Sequence, residues 1–250
     1  MSIEIRGIHK SFGEDHILRG FSLAVQEGET LSIIGPSGVG KSVTLKTIIG
    51  LITPDSGEVW VDGKSVHALL LPELFEFRRK VGYVFQFAAL FDSMSVGENV
   101  AMGLRRIEGI TEGEIQKRVS YCLNIVDLGG TEERLPSELS GGMRKRAGLA
   151  RAIATRPKYL LYDEPTTGLD PVTTTTIDGL INRMSEELGV TAIVVTHNMA
   201  SAYEISDRIA MLHEGSIRFV GTPDDIRATD DPVVKGFVEG RPELSREVSL

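Results

Sequence analysis

Three short runs of this 250-residue chain carry residue types and spacings suited to phosphoryl chemistry. The first is Gly35-Pro36-Ser37-Gly38-Val39-Gly40-Lys41-Ser42, a complete phosphate-binding loop pattern. Glycines let the backbone curl until several N–H groups face one anion, and the positive end of the following helix adds to them. In such a loop Lys41 reaches the β- and γ-phosphates as a point charge and Ser42 holds Mg²⁺. The second run, Tyr159 to Glu164, is an apolar strand that delivers two acids at its end, where open α/β sheets bind ligands. Asp163 is placed to orient the Mg²⁺ through water, and Glu164 to polarise an attacking water as general base. The third run, Leu139-Ser140-Gly141-Gly142-Met143, precedes Arg144, Lys145 and Arg146. A hydroxyl, bare backbone amides and a helix N-terminus make a second anion site. One nucleotide does not need two phosphate sites in one chain, so the second is expected to complete the nucleotide of another copy.

The elements that must position these runs are legible from periodicity. The first 30 residues alternate apolar and polar types as short antiparallel strands do. Thr30 to Ile34 predicts a buried strand that runs into the phosphate loop, followed by a helix with Leu45, Ile48, Ile49 and Ile52 on one side. Val59 and Val61 precede an Asp62-Gly63 turn. From about residue 90 to 156 the texture is helical, with Ile115, Val119, Cys122, Leu123 and Val126 spaced by three and four. Buried strands are expected at Tyr159 to Tyr162 and Val190 to Val195. The helix between them opens with Asp170 as N-cap and Pro171 at its first position. A hairpin spans Ile209 to Val220 around Glu214-Gly215. In the stretch Val84 to Val96, Val84 and Phe85 read as the end of a buried strand with Gln86 at its tip. Phe87 to Phe91 then read as the start of the helical lobe. The order is that of an α/β fold with an inserted helical lobe.

Composition narrows the function. With 27 basic and 35 acidic residues the net charge is -8, which argues against a broad nucleic-acid surface. The single cysteine, Cys122, excludes an internal disulfide and argues against a thiolate metal site. No apolar run approaches the roughly 18 residues of a membrane span. The N-terminus lacks the pattern of a signal peptide, so a cytoplasmic protein is expected.

In order, the chain carries the phosphate loop, Gln86, Leu-Ser-Gly-Gly, Asp163-Glu164, Gly168-Leu169-Asp170 and His197. Over nearly its whole length it resembles the ATP-binding subunit of ABC transporters. The resemblance implies a P-loop NTPase fold of ABC type: a mixed RecA-like core sheet, an antiparallel β subdomain and an inserted helical subdomain. It implies one nucleotide-binding domain over residues 1–240, with a core at 1–89 and 157–222 and the helical subdomain at about 90–156. It assigns ATP and Mg²⁺ as cofactors. Phe12 would stack on adenine, and the phosphate loop with Val43 would hold the phosphates. Gln86 would sense Mg²⁺ and the attacking water, and Asp170 would be an inter-subunit acid. His197 would contact the γ-phosphate, and Ser140, Gly141 and Gly142 would meet the nucleotide of a second copy in a head-to-tail homodimer.

Met143 departs from the glutamine that most such cassettes carry after Leu-Ser-Gly-Gly. With the stretches Phe85 to Val100 and Tyr162 to Pro171 it makes the chain similar to the MlaF-like branch, which serves MCE-type phospholipid transport. That branch implies integral membrane permease subunits, an MCE-domain protein, a STAS-domain partner and a place at the cytoplasmic face of a bacterial inner membrane. An importer ATPase for a polar solute such as an amino acid is the alternative. A soluble ABC-type ATPase without a membrane partner usually carries two cassettes or a long coiled-coil insertion, and neither is present. A small-molecule kinase would leave Leu-Ser-Gly-Gly and His197 without a purpose. The segment 223–250 is expected as a tail that packs on a neighbouring subunit or an accessory protein.

Overall fold

The computed structural model describes residues 2–241. Along the chain the elements are β1 (Ile3–Phe12), β2 (Asp15–Val25), β3 (Thr30–Ile34), α1 (Lys41–Ile48), β4 (Ser56–Val61) and β5 (Lys64–Ser65). Then come α2 (Leu71–Arg79), β6 (Val81–Val84), α3 (Val96–Ala101), α4 (Glu112–Ile125), α5 (Gly141–Ile153), β7 (Tyr159–Asp163) and α6 (Pro171–Leu188). The chain closes with β8 (Thr191–Thr196), α7 (Met199–Ile205), β9 (Arg208–His213), β10 (Ser216–Gly221), α8 (Pro223–Arg227) and α9 (Pro232–Val238). These fall into two units, residues 2–74 with 193–241 and residues 75–192.

The first unit holds an antiparallel sheet in the order β2-β1-β4-β5. Ile3 pairs with Val25 on one side and Val61 on the other, and Ile5 with Leu23 and Val59. Apolar side chains therefore meet rung by rung on one face. Register shifts after Ile5 and Ile8 explain why the spacing of Ile3, Ile5 and Ile8 is mixed in the sequence. A second sheet runs β10-β9-β3-β8, with β3 parallel to β9 and β10 antiparallel to it. β3 and β8 are buried at every position, which is why they read as unbroken runs rather than alternating ones. The segment from residue 223 begins with α8 and α9. Ile226, Val233 and Val234 lie in one buried cluster with Ile34, Ile209 and Met211, and Phe237 and Val238 pack against it. Residues 242–250 of the expected tail lie outside the described residues.

The second unit pairs β6 with β7 in parallel, Val84 opposite Tyr162. Around α5 it packs α3 and α4. α4 starts with a reciprocal cap between Thr111 and Glu114 and buries Ile115, Val119, Cys122 and Leu123, the expected face. Burial raises the Cys122 thiol to a pKa of about 11, so it is a core residue rather than a reactive one. Asp170 caps α6 as expected, accepting from the Val172 and Thr173 amides. Two expectations fail after β6. The strand ends at Val84 and Phe85 is exposed. Residues 85–95 are turns rather than helix, because Ala88 and Ala89 both take positive φ, 59° and 48°, which a right-handed helix cannot contain. Of the apolar residues there, Ala88 is the buried one, whereas Phe87 is 81% exposed and Phe91 49%.

Candidate functional site

The phosphate loop in the first unit is shaped by close approach. A Cβ on Gly35 would collide with the Leu212 carbonyl, and one on Gly40 would lie 2.8 Å from the Ile17 side chain. Gly38 and Gly40 take φ of 83° and 111°, conformations open to glycine. Lys41 begins α1, and its buried side chain folds back so that Nζ donates to the carbonyls of Gly35 (2.8 Å) and Pro36 (2.9 Å). The ammonium is thus fixed inside the curl of the loop, the place a phosphate-binding lysine requires. Gly35 follows β3, and His197 follows β8, its neighbour in the sheet. The turn after His197 is set by Thr196, whose Oγ1 accepts from the Asn198 amide at 2.9 Å, while Asn198 caps α7. Phe12 ends β1 half exposed, with Lys10 Nζ 5.4 Å from its ring centroid.

In the second unit the parallel pairing of β6 and β7 sends Gln86 and the acids Asp163 and Glu164 off the same edge. Asp163 is buried and accepts from the Tyr83 hydroxyl at 2.9 Å. Burial, then the Asp163 charge, push that phenol far above its ordinary range, so it stays a donor. Glu164 is also buried and has φ 51°, an uncommon value for a side chain of this size. Thr167 holds it, donating Oγ1 to the carboxylate at 3.0 Å and its amide to the carbonyl at 3.3 Å.

Leu139 to Met143 lies at the start of α5. Ser140 is the N-cap, its Oγ accepting from the Met143 amide at 3.2 Å. That leaves the hydroxyl proton for an outside acceptor. A Cβ on Gly142 would come 2.7 Å from Thr173 Cγ2, and Thr173 donates Oγ1 to Asp170 at 2.5 Å. Gly142 and Asp170 are therefore joined through one threonine. The basic residues after this run face protein: Arg144 donates to the Leu139 carbonyl and Arg146 to those of Val126 and Asp127. Two more cations on α5 grip the loop after β6. Lys145 donates to the carbonyls of Gln86 and Glu164 (the latter at 3.4 Å), and Arg151 to those of Ala88 and Ala89, each at 2.6 Å. Neither they nor Tyr83 stood out in the sequence as site residues.

Residues 18–167 match the sequence profile of the family described as ABC transporter. This chain belongs to the ABC transporter family. It is an ATP-binding, ATP-hydrolysing motor subunit of such a transporter, and its mixed α/β architecture is the ABC cassette fold. Cassettes of this family dimerise and pair with membrane permease subunits. A chloroplastic protein of Arabidopsis thaliana, trigalactosyldiacylglycerol 3, is 43% identical, covering 95% of this chain and 73% of its own. The "Probable ribonucleotide transport ATP-binding protein mkl" of Mycobacterium leprae is 41% identical over 96% of this chain and 70% of its own. Among solved structures, a dimeric post-hydrolysis ATP-binding cassette bound to ADP and Pi is 34% identical with a TM-score of 0.81, covering 88% of this ABC chain and 98% of that one. No helix among the described residues is long and apolar enough to cross a membrane. Nor do those residues include a group of three His, Cys, Asp or Glu side chains able to hold a metal by themselves. Ser42 and Asp163, each in its own unit, offer oxygen donors of the kind Mg²⁺ takes.

Proposed function

We propose that ATP binds with its phosphates on Gly35, Pro36, Ser37, Gly38, Val39, Gly40, Lys41, Ser42 and Val43 and its adenine on Phe12. The Lys41 ammonium carries this reading, since the carbonyls of Gly35 and Pro36 hold it inside the curl of the loop. Ser42, Asp163 and Gln86 would hold Mg²⁺, which supplies neutralisation of phosphate charge when bound. Glu164, oriented by Thr167, accepts the proton of the attacking water, and His197 donates to the γ-phosphate oxygens. Two copies meet head to tail, so that the partner subunit's Ser140, Gly141 and Gly142 close on the same phosphates and the partner subunit's Asp170 lines the seam. ATP then favours the closed pair because only that pair completes the anion contacts.

The cargo is proposed to be phospholipid, moved by an MlaF-like system with a permease, an MCE-domain protein and a STAS-domain partner at the cytoplasmic face of a bacterial inner membrane. Met143 and the aromatic stretch after Val84 support this, as does the 43% identity to a chloroplast protein named for a galactolipid. A polar-solute importer is the second reading. It is favoured by relatives named for sulfate/thiosulfate import in Caulobacter vibrioides (40% identical) and methionine import in Carboxydothermus hydrogenoformans (44% identical). Purification with its membrane subunits, followed by ATPase assays with phospholipid vesicles or with sulfate or methionine and a binding protein, decides between them. Stimulation by the solute and not by the vesicles overturns the lipid reading.

A further inference from the structure

Lys145 is a buried cation, 7% exposed, whose recorded bonds go to main-chain carbonyls. Its Nζ donates to the Gln86 carbonyl, 59 residues away in sequence, and to the Glu164 carbonyl, 19 residues away at 3.4 Å. These carbonyls belong to the two residues that leave the β6–β7 edge together. Glu164 sits at φ 51°, a left-handed conformation that is unfavourable for a residue with a side chain. It needs holding from outside. Burying an ammonium is itself unfavourable, and an apolar residue of similar volume is often as stable or more so. Desolvation accordingly weakens the proton affinity of Lys145, while the Glu164 charge acts the other way. Stability alone therefore does not account for a lysine here.

We propose that Lys145 is a positioning residue for ATP hydrolysis, its ammonium tying the main chain of Gln86 to that of Glu164 so that both side chains keep one spacing. This rests on the roles given above to Glu164 and Gln86. A shift of about 1 Å in a positioned group can lower turnover roughly 100-fold, whereas ATP capture by the phosphate loop does not involve these carbonyls. The effect should fall on kcat and leave KM alone.

The test is steady-state ATPase kinetics and thermal melting of the full chain carrying Lys145→Met, Lys145→Arg or Glu164→Gln. For Lys145→Met we expect kcat to fall about 10- to 100-fold with KM for ATP within about twofold and a melting temperature equal to or above wild type. Lys145→Arg, which keeps several N–H donors, should recover kcat to within about threefold. In a Glu164→Gln background, Lys145→Met should add little. Wild-type kcat for Lys145→Met beside an inactive Glu164→Gln overturns the positioning role and leaves the base assignment standing. Normal turnover of Glu164→Gln overturns that assignment and the proposal with it. A Lys145→Met chain that does not fold, or a Lys145→Arg chain as slow as Lys145→Met, also overturns the proposal.

Discussion

Arg151→Met is the most informative single perturbation of the loop after β6. Ala88 and Ala89 hold positive φ in succession, which costs about 2–4 kcal/mol for the pair. Against this stand two short bonds from the Arg151 guanidinium to their carbonyls. Burial lowers the proton affinity of Arg151, but a guanidinium remains charged, so each bond contributes about 1.5–3 kcal/mol. The two sums nearly balance, with the clamp slightly ahead. Without it the alanines relax toward ordinary φ, the strain is released, and the net loss of stability is only about 2 kcal/mol, or ~5 °C in Tm. The functional loss should be larger, about 10-fold or more in kcat, because Gln86 lies two residues before the relaxing pair. Thermal melts, ATPase rates and chymotrypsin cleavage near Phe87 and Phe91 report on the three consequences. The companion Ala89→Gly removes strain at an exposed position without touching the clamp and should stabilise by about 0.5–1 kcal/mol. If Arg151→Met melts and turns over like wild type and gains no cleavage, the balance of strain and clamp is wrong.

Glu164→Gln is expected to bind ATP and dimerise while hydrolysing very slowly; gel filtration with ATP and a phosphate-release assay check both halves. Lys41→Ala should lose most ATP affinity, read by nucleotide titration, and unchanged affinity would count against the phosphate-loop assignment. Ending the chain after Thr222 removes the buried Ile226, Val233 and Val234, at about 1.5–3 kcal/mol each. That approaches the stability of a whole domain, and circular dichroism should show an unfolded or molten product. The Asp170 carboxyl is held below its ordinary range, first by the Thr173 hydroxyl and then by the Thr173 amide. Its stabilisation is fully present above the unfolded-state pKa of about 3.9 and disappears as pH falls through the lowered folded value. Asp170→Asn should therefore melt below wild type near neutrality, with the gap closing in acid; a gap constant with pH would refute the charge contribution.

The legible parts of this protein are those whose geometry is dictated by their own residues. Gly35 to Ser42 announces its loop because Gly35 and Gly40 meet neighbours that no Cβ would clear and Gly38 takes a positive φ, and Asp170-Pro171 announces a helix start because cap and ring angle are local properties. The stretch after Val84 misled for the opposite reason. Alanine is the best helix former, yet Ala88 and Ala89 are forced left-handed by an arginine some sixty positions away. Lys145 was hidden because its partners are carbonyls, which every residue possesses and no pattern marks. Phe237 and Val238 look like an apolar anchor on a polar tail, and only the cluster around Ile209 and Met211 shows which surface of their own chain takes them up.

The grips on the loop after β6 have one property in common. Lys145 takes the carbonyl of Gln86, Arg151 those of Ala88 and Ala89, and Asn99 both the amide and the carbonyl of Phe91. All of them hold main-chain atoms, so none depends on which side chains the loop presents. Phe85, Phe87 and Phe91 can be exchanged for other residues while the backbone path, and with it the placement of Gln86, stays as it is. The outward chemistry of this loop is in effect interchangeable, and its side chains can change without re-solving the backbone path that places Gln86.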